Sequence, residues 1–143
     1  MNSFLRTLLL FILLAAAGFA ADFAETKKKA EAGDAWAQYN LGYAYCNGEG
    51  VPKDYAEAVK WYRLAADQGD ANAQSEVGRM YYEGAGVPKD LVQAHVWSNI
   101  AGANGSEIAK NNLAIAEKQM TDSQKEKAMD LARELFAKLP KGK

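Results

Sequence analysis

Thirty-six residues of this chain are followed at once by a near copy of themselves. Ala35–Asp70 and Ala71–Ser106 abut without a gap. They share the frame A-x-A-Q-x-x-x-G-x-x-Y-x-x-G-x-G-V-P-K-D-x-x-x-A-x-x-W-x-x-x-A-x-x-x-G. A tandem period of this length constrains the fold more than composition does, because each unit can bury its apolar face only by stacking on its neighbours. The expected architecture is all-α, an α/α superhelical solenoid of helix–turn–helix repeats. Such a fold presents an extended surface.

Within each block the local signals name two helices. Ala37, Leu41, Ala44 and Tyr45 form a helical stripe over Ala35–Asn47. Gly48-Glu49-Gly50 breaks it, since glycine enters left-handed backbone without penalty. Pro52 disfavours helix at Val51. Asp54 is then an N-cap, with Glu57 three residues on as a capping box requires. The second helix places Ala58, Trp61, Leu64 and Ala65 on one face and ends near Gly69. The next block repeats these devices with Gly84, Gly86, Pro88, Asp90 with Gln93, Ala94, Trp97, Ala101 and Gly105. Glycine inside a helix costs about 1 kcal/mol relative to alanine. Gly42 and Gly78, kept in one register, therefore imply that a side chain there would clash. Trp61 and Trp97 are expected to fill gaps between helix pairs; a ligand-stacking platform is the alternative.

The ends read as caps. Residues 21–34 form an N-terminal half-repeat, Asp22–Gly33 closing on Ala-Glu-Ala-Gly-Asp. Residues 107–143 form a degenerate C-terminal capping repeat. There Ala109, Leu113 and Ala114 keep the first-helix register, and Thr121 with Gln124 makes a capping box. The last helix is expected to turn Met129, Ala132, Leu135, Phe136 and Leu139 inward.

Residues 1–20 read as a signal peptide: Arg6, the apolar run Leu8–Ala17, then Gly18-Phe19-Ala20 with cleavage after Ala20. An uncleaved membrane anchor is the rival reading. The expectation is an exported chain, periplasmic in a double-membraned bacterium, with secretion or membrane anchoring by the uncleaved signal as the alternatives. The rest carries 16 basic against 18 acidic side chains. No basic stripe offers nucleic acid the counterion release on which its binding depends. Cys46 is the single cysteine, which excludes an internal disulfide framework. Burial among helix neighbours is expected for it, with an intermolecular disulfide as the alternative.

These residues resemble the Sel1-like repeat, a relative of the tetratricopeptide repeat. The resemblance is carried by Ala-x-Ala-Gln, Leu-Gly or Val-Gly, Gly-x-Gly-Val, Asp, Ala, Trp, Ala and Gly across Ala35–Ser106. It implies a right-handed superhelix, service as an adaptor or scaffold for other proteins, and a concave side lined by the first helix of each pair. One exported branch of that family staples each repeat with paired cysteines. Here Cys46 is alone and Tyr82 stands at its equivalent, so that branch's ligands are not carried over.

Positions alike in both blocks serve the scaffold, and positions that differ are free to specialise. Trp36, Asn40, Tyr43 and Asn47 fall on one stripe of the first helix. Trp, Tyr and Arg are the types enriched at interface hot spots. The expected partner-binding residues are Trp36, Tyr39, Asn40, Tyr43, Glu76 and Arg79. The plainer reading has Trp36 and Tyr39 merely covering the half-repeat. The partner is taken to be a protein, the chain a monomer in solution, and an envelope glycan such as peptidoglycan the alternative ligand.

Nothing in the sequence implies a catalytic residue, cofactor or metal. The single histidine, His95, reads as a satisfied or solvent-facing helix residue, and one His with one Cys is too few for zinc. No nucleophile elbow, His-Glu-x-x-His pair or phosphate loop occurs. A hydrolase built on Glu76, Glu83 and Asp90 is a remote alternative, since nothing fixes their separation.

Overall fold

In a computed structural model, residues 2–140 are described. The first residue of the expected signal peptide and the last three of the C-terminal cap lie outside them. Seven helices and no strand occur among the described residues: α1 (Ser3–Glu31), α2 (Ala35–Asn47), α3 (Tyr55–Asp67), α4 (Ala71–Glu83), α5 (Leu91–Ala103), α6 (Glu107–Glu117) and α7 (Asp122–Lys138). Pairs α2/α3 and α4/α5 are the two repeats. Each helix from α1 to α5 packs on the next, and α7 returns onto α5. The expected helical solenoid is the observed architecture.

The capping aspartates recur in step. Asp34 accepts from the Ala37 amide at 2.7 Å and Asp70 from Ala73 at 2.7 Å. Asp54 accepts from Glu57 at 3.1 Å and Asp90 from Gln93 at 3.0 Å. Only the first half of the expected box forms on α3, because the Glu57 carboxylate engages Lys60 at 2.7 Å instead. The full reciprocal box forms at Thr121 and Gln124. Gly48 and Gly84 end α2 and α4 in left-handed conformation (φ 71° and 69°). Gly86 (φ 72°) presses its loop onto the start of the preceding α3. A Cβ there would collide with the Tyr55 carbonyl and lie 2.7 Å from the Ala56 nitrogen.

A polar staple joins each repeat to the one before it. Gln38 donates to the Ala30 carbonyl and Gln74 to the Ala66 carbonyl, both at 3.1 Å. Gln68 then donates to Gln38 at 2.8 Å, and Asn104 to Gln74 at 2.9 Å. All four contacts repeat at 36 residues. The end of α1 thus meets α2 as a second helix meets the next repeat. Gly50 rests on Phe19 and Phe23 of α1, as Gly86 rests on Tyr55.

Helix α1 runs unbroken through Ala20. Its apolar part is long and apolar enough to cross a membrane and is unburied, properties that a signal sequence near the N-terminus shares.

The core differs from the sequence expectation on three helices. On α3, Tyr62 is buried with Ala58, Ala65 and Ala66, whereas Trp61 is half-buried and Leu64 is exposed. Tyr62 faces the close approach to α2, and Trp61 only borders the Ala30–Ala37–Leu41 cluster. Trp97, the equivalent of Trp61, is fully buried with Arg63 stacked over its ring at 4.6 Å. On α7 the buried residues are Ala128 and Ala132, flanked by Leu131, Leu135 and Leu139; Met129 and Phe136 are exposed. Small alanines set the close approach to α5, rotating the inward face by one position from the bulkiest residues. On α6, Ala109 is buried but Ala114 is exposed.

Candidate functional site

Helices α2 and α4 carry the six expected binding residues, and the structure divides them into two groups. The first bridges the repeats. The Trp36 ring, 63% exposed, stacks on Tyr39 with centroids 5.9 Å apart and planes at 24°. Tyr39 tilts against Tyr62 at 5.6 Å, and the Tyr62 ring lies directly beneath Gly42. A Cβ on Gly42 would lie 2.7 Å from that ring, so the retained glycine has the steric reason its register implied.

From α4, Arg79 donates to Glu76 at 2.9 Å, to Glu83 at 2.6 Å and to the Cys46 sulfur at 3.5 Å. The guanidinium therefore reaches from one repeat to the other. Its partial burial works against its charge, but Glu76 and Glu83 outweigh that and raise its pKa. Burial, with Glu76 nearby, pushes the hydroxyls of Tyr62 and Tyr39 above the ordinary tyrosine value. Cys46 is buried at the back of this cluster, as expected.

The second group faces the other way. Asn40 and Tyr43 line a groove of about 310 Å³ with Phe19, Asp22, Phe23 and Thr26 of α1. Asn47 donates to the Tyr43 carbonyl at 3.1 Å. Trp36 does not border this groove; it belongs with Tyr39. The stripe read from the sequence is thus split by the unbroken passage of α1 alongside α2.

The carboxylates of the remote hydrolase reading have other partners. Glu76 and Glu83 both engage Arg79, and Asp90 caps α5. His95 is fully buried rather than solvent-facing. Its Nε2 meets Glu117 at 3.0 Å, and its Nδ1 has no hydrogen-bond partner among the described residues.

Sequence reasoning missed two features. The frame glutamines Gln38 and Gln74 were visible as repeated polar residues, and their pairing with Gln68 and Asn104 at one spacing was the available signal. The other is a cavity of about 140 Å³ between α4, α5 and α6, lined by Gly78, Arg79, Tyr82, Ser98, Asn112 and Ile115 among others. Its signal was the exchange of Tyr62 for Ser98 at equivalent positions.

Two stretches of the chain, residues 37–70 and 71–106, match the Sel1 repeat. Among solved structures, the chain is similar to c5321, a protective antigen present in uropathogenic Escherichia coli strains displaying an SLR fold. The TM-score is 0.80 at 38% identity, over 82% of this chain and 25% of that one. It is also similar to a Sel1 repeat protein from Oxalobacter formigenes, with a TM-score of 0.65 at 38% identity, over 66% of this chain and 28% of that one. The chain therefore spans about a quarter of the length of these proteins. No curated protein sequence matches it.

Proposed function

Because the chain belongs to the Sel1-repeat family, whose helical repeats generally form protein-interaction scaffolds, we propose that it is an exported adaptor that binds a protein partner across α2 and α4. The observation that carries this reading is the bridging cluster. Exposed Trp36 is held flat by Tyr39, and Tyr39 by buried Tyr62; beside them Arg79 is fixed by two carboxylates and a sulfur. An aromatic and an arginine immobilised before binding lose little side-chain entropy on contact, which is what makes such residues effective anchors. The apolar stretch of α1 supports export, and the compartment that follows is the periplasm in a double-membraned bacterium.

The test is capture of binders from host envelope extract on the immobilised chain, beside a Trp36→Ala variant with intact helical CD and melting. The Trp36 side chain is exposed, so its loss leaves the fold in place. The adaptor reading predicts a protein retained by the native chain and lost by the variant. Equal retention by both, or retention of peptidoglycan fragments alone, would overturn it.

A further inference from the structure

The two repeats build the same chamber twice, and only one of them is filled. In the first, between α2, α3 and α4, the Tyr62 ring lies beneath Gly42 and closes the space. In the second, between α4, α5 and α6, Gly78 takes the place of Gly42 and Ser98 that of Tyr62. The Ser98 hydroxyl lies where the near edge of the ring would begin, 2.7 Å from the position of a Cβ on Gly78. What remains is the 140 Å³ cavity. A cavity of about 150 Å³ holds a benzene ring. The wall above it also changes in kind, with Ile115 in the place of Arg79 and Asn112 in that of Glu76.

Deepening the adaptor reading, and resting on it, we infer that the cavity between α4, α5 and α6 receives a tyrosine side chain from the protein partner. Repeat 1 shows what the chamber accommodates, because there the chain supplies that ring itself. Ala94 and Ile115 offer apolar walls, and Asn112, 36 residues on from Glu76, lines the cavity with an amide that can pair with a phenol. Arg79 and Glu83 stand at the cavity too. Arg79 is already paired with both Glu76 and Glu83, leaving these three groups one negative charge in excess. A neutral ring is therefore favoured over a phosphorylated one.

The experiment is saturation-transfer NMR on the full chain held in nanodiscs, with N-acetyl-tyrosinamide as probe and N-acetyl-leucinamide and O-phospho-N-acetyl-tyrosinamide beside it. The unmodified tyrosinamide should bind best. Ser98→Tyr plugs the cavity with the chain's own ring, as in repeat 1, and should keep or raise the melting temperature while weakening tyrosinamide binding about tenfold. Ile115→Ala, which removes one half-exposed wall, should weaken it about threefold without affecting folding. Equal binding by the native chain and Ser98→Tyr overturns the inference, as does stronger binding of the phosphorylated probe. If capture of the partner is lost in Trp36→Ala while Ser98→Tyr still binds the probe fully, the cavity assignment fails and the adaptor reading stands. Trp36 does not line the cavity, so probe binding lost only in Ser98→Tyr, with capture unchanged in Trp36→Ala, upholds the cavity and overturns the α2–α4 face.

Discussion

In repeat 1 a tyrosine ring lies under the frame glycine; in repeat 2 a serine hydroxyl does. Around that one exchange the two repeats are built alike. Their capping aspartates bond at matching distances, their helix-ending glycines share φ within a few degrees, and their glutamine staples are of equal length. The repeated residues therefore fix backbone and spacing, and the differing ones decide what the surface offers. Repeat 1 presents a filled wall with Trp36 and Tyr39 upon it, and repeat 2 presents an opening.

Emptying the filled chamber should be the most costly way to break this comparison. Tyr62→Ser leaves Gly42 facing a void and removes the support of Tyr39. The expected loss is about 4 kcal/mol by urea unfolding, in the range of buried aromatic truncations. A loss below half of that would mean that α2 and α4 close over the gap.

The loop glycines should separate the repeats next. Gly86→Ala forces a side chain onto the Tyr55 and Ala56 backbone at positive φ, and should cost about 3 kcal/mol. Gly50→Ala meets the Phe23 side chain at 3.3 Å and the Phe19 carbonyl at 3.4 Å, and should cost about 1 kcal/mol from backbone conformation alone. Equal costs would contradict the closer seating of the second loop.

Much of this fold was legible in the sequence because its local devices are strong and appear twice. Glycine breaks, Asp caps and the 36-residue spacing do not depend on which neighbour a helix meets. Which face of a helix is buried does depend on it, and there the sequence spoke less clearly. On α3, Trp61, Tyr62 and Leu64 are all large enough for a core, and the close approach at Gly42 selects Tyr62. On α7, alanine rather than methionine or phenylalanine faces α5, because closeness of helix axes, not bulk, sets the contact. The candidate site was legible as a set of residue types. Its division was not, because the groove holding Asn40 and Tyr43 is made by α1, whose passage through Ala20 as one helix no periodic signal announced.

A reciprocal exchange tests the central claim, that serine in place of tyrosine beneath the frame glycine is what opens the second chamber. Tyr62→Ser combined with Ser98→Tyr swaps the filled and open chambers. Ser98→Tyr alone should abolish most tyrosinamide saturation, and the swapped chain should regain it, now through the chamber between α2 and α4. A folded swapped chain that still fails to bind the probe would contradict the account.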